Sequence, residues 1–214
     1  MQRCTVIDDK EIEWQLTDAE IHANAVLMTH RKLKEQVQQL DNRSEDTSEQ
    51  RRLSDELYLS IHLLLWHYHQ LSRVFWPAKC GGETGLELGH KAIALRAELD
   101  LPDLQHPLHN EKLWAHSEEL YRVVHEHTET HYQVHHFSAE NQVITWMDDD
   151  AMFCLYEPVS DRFVLHGDEF MLAELFEQAS SLQLAIQTRL DQLRRMNMHS
   201  HHPADTMPSW GHRF

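Results

Sequence analysis

The chemistry this chain could perform is written mainly in histidine, which occurs 19 times in 214 residues. The densest run is His125-Glu-His-Thr-Glu-Thr-His-Tyr-Gln-Val-His-His136. On a helix, His127 and His131 stand at i and i+4, and His135 continues the ladder. Side chains so spaced lie about 6 Å apart on one face and can pinch a single ion. Glu129 can join them as the i+4 neighbour of His125. Imidazole suits Zn, Ni, Cu or Fe, and Zn or Ni is the metal expected here. His62, His67 and His69 form a second group, in which His62 and His69 share a helix face at i and i+7. His199, His201 and His202 form a third, which reads as a loose chelator near the C-terminus.

Other chemistries lack their residues. Ferritin-type di-iron sites need Glu-x-x-His from two helices, and the chain has one such match, Glu87-Leu-Gly-His90. Cys80 has no neighbouring cysteine, so no structural zinc spacing exists. Cys80-Gly-Gly-Glu-Thr-Gly lacks the lysine of a phosphate loop, and no Gly-x-Ser-x-Gly elbow occurs. The run Trp146-Met-Asp-Asp-Asp150 reads as a solvated acidic loop, because consecutive acids point in different directions.

Charge narrows the partners. Lys and Arg total 19 against 35 Asp and Glu, a net charge of −16 with neutral histidines. That balance argues against DNA and against tight non-specific nucleic-acid binding, which needs clustered cations. The many histidines make the charge unusually sensitive to pH between roughly 5 and 7. Mean hydropathy is −0.58, and no apolar run is long enough for a membrane span. The first residues carry no apolar h-region, so no signal peptide is expected. Three scattered cysteines, Cys4, Cys80 and Cys154, argue against a disulfide framework, and the expected location is cytoplasmic.

The elements that must position these residues follow from periodicity. Thr17-Asp-Ala-Glu20 is a capping-box pattern opening a helix to about residue 41, with Ile21, Ala25, Met28, Leu33, Val37 and Leu40 on its apolar stripe. A second helix, from Thr47 or Ser48 to Phe75, is apolar on more than one side and is expected to be central. A third spans about 87–99 through Leu88, Ala92, Leu95 and Leu99. A fourth runs from Leu108 to about Tyr132. The segment 135–150 has no clear period. Two β-rich runs at about 152–166, joined by Glu-Pro-Val-Ser-Asp, read as a hairpin, and a final helix follows. The expected fold is mainly α: an up-and-down bundle of about five helices with one small β-hairpin before the last helix. Residues 1–16 are read as an N-terminal extension with Trp14 and Leu16 as possible docking points. Residues 17–195 are read as the bundle and 196–214 as a flexible His-rich tail.

Three stretches carry a resemblance. They are Leu71-Ser-Arg-Val-Phe-Trp-Pro77; Ala94-Leu-Arg-Ala-Glu-Leu99 followed by Pro107-Leu-His-Asn-Glu-Lys-Leu113; and Tyr156-Glu-Pro to Phe163-Val-Leu-His-Gly-Asp-Glu-Phe170. Over about residues 55–190 their order and spacing resemble an uncharacterised bacterial all-helical family, itself distantly similar to the HEPN superfamily. The resemblance implies a helical scaffold. In HEPN ribonucleases an Arg, followed four to six residues later by a His, stabilises phosphate charge and moves protons. The related group implies an Arg-Asn pair and a later His near the start of the fourth helix, where this chain carries Trp114-Ala115 and Glu119. Arg122 and His127 are the surviving match. The favoured expectation is a non-enzymatic interaction or regulatory module, a homodimer or the partner of another protein. One alternative is a metal-independent ribonuclease acting on RNA through Arg122 and His127. The other is a transition-metal protein using His127, His131 and His135.

Overall fold

The computed structural model describes residues 8–41, 47–77, 83–102, 106–125, 133–138, 143–147 and 153–200. Among them stand six helices: α1 (Asp9–Asp41), α2 (Thr47–Phe75), α3 (Glu83–Glu98), α4 (Glu111–Ala115), α5 (Ser117–His125) and α6 (Leu172–Ser200). Five strands lie between α5 and α6: β1 (Gln133–Ser138), β2 (Val143–Met147), β3 (Phe153–Glu157), β4 (Arg162–Leu165) and β5 (Asp168–Met171). The expected mainly helical bundle with β structure before the last helix is present. The sheet is larger than the single hairpin expected. It is an antiparallel meander in the order β1-β2-β3-β4-β5.

Helix α2 is the axis of the core. Leu53, Leu57, Ile61, Leu64, Leu65, Tyr68, Leu71 and Phe75 are all buried along it. It packs against α1, α3, α4 and α5, and it reaches the sheet through Tyr58 on Trp146 and His62 on Phe163. Each of these aliphatic side chains contributes about 1.5–3 kcal/mol by leaving water. The sheet offers one face to this core. Ile144, Trp146, Cys154, Tyr156, Phe163, Leu165 and Phe170 are buried, following the two-residue alternation of strands. On the other face Arg162 bridges Glu157 at 2.5 Å and Glu169 at 2.5 Å across neighbouring strands.

Several boundaries differ from the sequence reading, each for a local reason. Helix α1 begins eight residues before the capping box, and Ile12 and Leu16 are buried with it. Its buried stripe is Leu16, Ala19, Ala23, Val26, His30 and Leu33, while Ile21 and Met28 are exposed. Two stripes compete on this helix, and the one with small residues faces its neighbours. The expected fourth helix is broken at His116 and continues to His125, and its expected extension to Tyr132 lies outside the described residues. Strands β1 and β2 fall in the segment without clear period, and β5 occupies residues read as the start of the final helix. Beyond Ser200 the expected tail lies outside the described residues.

Asp161 ties three elements together. It is buried, with φ of +53° in the β3–β4 turn. Its carboxylate accepts from His30 Nε2, Lys34 Nζ and Tyr156 Oη, each at 2.8 Å. Its carbonyl accepts the Leu172 N–H at 2.8 Å. One residue thus joins α1, the hairpin and the first turn of α6.

Candidate metal centre

Two irregular points in the backbone bring a cluster of ligand-type side chains together. The first is the break between α4 and α5. Asn110 caps α4, its side chain accepting from the N–H groups of Lys112 and Leu113. His116 follows with φ −96° and ψ 6°, in the sparsely occupied bridge region. Its carbonyl still accepts Leu120 N–H at 2.9 Å, so α5 restarts at once and Glu119 lies in its first turn. A carboxylate is favoured there by the helix dipole.

The second point is the connection between β4 and β5. Leu165 pairs with Asp168, leaving His166-Gly167 as a two-residue loop. Both have positive φ, +50° and +87°, as a type I′ turn requires. Asn-Gly is the favoured pair for this turn, and the chain has His-Gly.

The two points meet. His116, Glu119 and His166 each offer one ligand atom, and these atoms lie within 4.8 Å of one another. Glu119 Oε2 is 2.7 Å from His166 Nε2 and 4.0 Å from His116 Nδ1. The two imidazole rings stack with centroids 5.5 Å apart. His116 Nε2 donates to Asp168 Oδ2 at 3.0 Å, because an ionised carboxylate can only accept. That proton fixes the tautomer and leaves the His116 Nδ1 lone pair toward Glu119. Lys112 Nζ holds the other oxygen of Asp168 at 3.6 Å. Lys112 also lines an open surface groove with Pro107, His109, Asn110, Glu111 and Glu169. The His116 and Glu119 side chains are 12% and 11% exposed and His166 29%, so the cluster is a rim site reached from one side.

Glu119 Oε1 and His62 Nε2 are both buried and unbonded among the described residues. His62 Nδ1 donates to the Tyr58 carbonyl at 3.0 Å, which directs the bare lone pair to Nε2. Burial pulls His62 down to about 4, the Tyr58 carbonyl works against this, and His166 adds to the lowering. Burial pushes the Cys154 thiol up to about 12, reinforced by Glu119 and opposed by a hydrogen bond with Tyr58. His62 and Cys154 are therefore neutral groups within electrostatic reach of the cluster.

Donor atoms around one tetrahedral ion, bonded at about 2.0–2.2 Å, stand roughly 3.3–3.6 Å apart. The observed 2.7 and 4.0 Å lie on either side of that spacing. Movements of well under about 1 Å reach it. Two imidazoles and a carboxylate, with a carboxylate on the far nitrogen of one imidazole, match the outer-shell pattern of transition-metal sites.

The residues singled out from sequence are placed differently. Arg122 is exposed on α5, and His127 and His131 lie outside the described residues. His135 stands in β1, so it does not extend a helical ladder from His127. His62 and His69 are both buried. His199 is in α6, whereas His201 and His202 lie outside the described residues. Sequence reasoning passed over His116, Glu119 and His166. The available signals were His-x-x-Glu at a helix start and a His where a tight turn prefers Asn. Comparison with protein-family models, with curated proteins and with solved structures finds no match.

Proposed function

We propose that this chain binds a divalent transition-metal ion through His116, Glu119 and His166, with Asp168 orienting His116. The observation that carries the reading is the convergence of three ligand atoms, from segments about fifty residues apart, beside a histidine whose far nitrogen is already held by a carboxylate. Two imidazoles favour Zn, Ni, Cu or Fe over Mg or Ca. The unpartnered Glu119 Oε1 supports the same reading, since an unsatisfied buried acceptor costs about 1–3 kcal/mol. The test is zinc titration by calorimetry of the full chain, purified without a metal column. One equivalent should be lost in His116→Ala/His166→Ala and retained when His199, His201 and His202 are all changed to Ala. Binding that follows the tail histidines alone would overturn the reading.

A second reading, self-association, is favoured by one surface feature. Trp14, Ile21 and Met28 recur at seven-residue spacing on α1 and are 64%, 59% and 70% exposed. Such a stripe fits the face of a second copy. Sedimentation of Ile21→Glu/Met28→Glu against the unmodified chain tests it, and identical sedimentation would remove it.

A further inference from the structure

Helix α1 carries two heptad seams on opposite sides. The inner one runs through Leu16, Ala19, Ala23, Val26, His30 and Leu33, all buried. His22 and Asn24 mark its flanks. His22 meets His67 of α2 with Nδ1 atoms 3.1 Å apart, and Asn24 accepts from Gln183 of α6 at 3.0 Å. The outer seam is Trp14, Asp18, Ile21, Ala25, Met28 and Lys32, whose spacings again alternate between four and three. Trp14, Ile21, Met28 and Lys32 are exposed, and Asp18 and Ala25 are half-buried. That alternation is the 3.5-residue repeat by which one helix lies along another.

The charges on the outer seam choose the orientation of its partner. Asp18 and Lys32 stand seven residues to either side of Ala25, about 10 Å along the axis in each direction. Parallel, in-register pairing of two α1 helices sets Asp18 against Asp18 and Lys32 against Lys32. Antiparallel pairing about Ala25 sets each Asp18 against Lys32 of the second copy and brings Ile21 close to Met28. Ala25 presents only a methyl group at the axis. Trp14 lies one turn beyond Asp18, so the aliphatic stem of Lys32 from the second copy covers the indole while its ammonium reaches the carboxylate.

We infer, on the self-association reading, that two copies of this chain pair through antiparallel α1 helices, with a two-fold axis at Ala25 and reciprocal Asp18–Lys32 ion pairs. Such a contact uses the same patch on both copies and closes on itself, so assembly stops at the dimer. The apolar side chains hold the two helices together, and the charges at either end fix register and direction.

The experiment is sedimentation equilibrium of the full chain and of three variants, Asp18→Lys, Lys32→Asp and the two changes combined, each checked for folding by circular dichroism. The unmodified chain should be a dimer. Each single reversal should weaken it about tenfold or more, because two ion pairs become two like-charge contacts. The combined variant should recover the dimer. So should an equimolar mixture of the two single variants, in which the like charges of each copy face opposite charges on the other. Parallel pairing predicts instead that a single reversal exchanges one like-charge layer for another and leaves the dimer unchanged. A dimer unmoved by the single reversals, or not recovered by the combined variant, would overturn the antiparallel register and leave self-association standing. An unmodified chain that stays monomeric would overturn both.

Discussion

Replacing Asp161 by Asn should cost this protein a large share of its stability while leaving its backbone alone. Asn tolerates the left-handed region almost as well as Asp, so the φ of +53° is kept. The change removes the charge that His30, Lys34 and Tyr156 all donate to at 2.8 Å. Hydrogen bonds to a charged acceptor are worth about 1.5–3 kcal/mol each. Asn keeps one acceptor oxygen, and Lys34 is 39% exposed and partly screened. One strong bond and part of a second are lost, about 2–4 kcal/mol. For a chain of this size that is a fall in Tm of roughly 5–15 °C. The pH dependence supplies the control. Burial alone pushes the Asp161 carboxyl up, but the bonds from His30, Lys34 and Tyr156, with the Lys34 charge, outweigh it and hold the folded value below 3.8. A depressed carboxyl gives stability that is complete above about pH 4 and disappears as the pH falls through the folded value. Urea unfolding followed by circular dichroism should show the full difference at pH 7 and a shrinking one at pH 3. A deficit below about 0.5 kcal/mol at pH 7, or an equal deficit at both pH values, would refute the reasoning.

Five further outcomes follow from the geometry. Leu64→Ala, fully buried at the centre of α2, should cost about 2–5 kcal/mol in the same urea assay. Asp168→Asn should weaken zinc binding about 10–100-fold by calorimetry with little change in Tm, because it disturbs the far nitrogen of His116 and, besides that, only an exposed ion pair with Lys112. His166→Asn should melt no lower than the parent, since Asn suits the type I′ turn, yet should lose the zinc equivalent; Gly167→Ala should cost about 1–2 kcal/mol from its φ of +87° alone, there being open space around its Cβ. His62 titrates at about 4 in the folded chain and near 6.5 once unfolded. The unfolded state therefore binds more protons between these values, and acidification across that window should cost up to about 1.4 kcal/mol per pH unit, a slope that His62→Leu should flatten.

The helices were legible because their signal is long and repeated. Leu57, Ile61, Leu64, Leu65 and Leu71 announce α2 and its central place without further context. The β3–β4 hairpin was legible because Phe-Cys-Leu-Tyr and Arg-Phe-Val-Leu flank a turn sequence. Strand β5 was not, because Phe170 fits the spacing of the following helix as well as the alternation of a strand. Only its pairing with Phe163 decides between them, and that is a tertiary fact. Strand β1, which pairs with β2 through Val134–Trp146 and Phe137–Ile144, was not legible for a similar reason: its partner strand lies in a stretch without clear period. The charge swing promised by 19 histidines is also smaller than composition suggests, since His62, His67 and His69 are each held near 4 by burial.

The candidate site was illegible because neither of its halves is a motif. His116 and Glu119 are three apart on a helix start, a spacing that chance produces often in so His-rich a chain. His166 belongs to them only through the fold. What distinguishes the trio is the backbone beneath it. His116 occupies the bridge region between two helices, and His166 occupies a left-handed position where Asn or Gly would be easier. Strain of this kind persists where the surrounding structure over-determines it, and it concentrates at functional sites. Asp161, also left-handed, supports the argument from the other side. Its conformation is accounted for by three hydrogen bonds within the fold, whereas the one strong bond of His166 goes to Glu119, a residue whose second oxygen is buried without a partner among the described residues. A turn kept in a costly conformation to hold an imidazole against an incompletely satisfied carboxylate is the arrangement on which the proposed metal site rests.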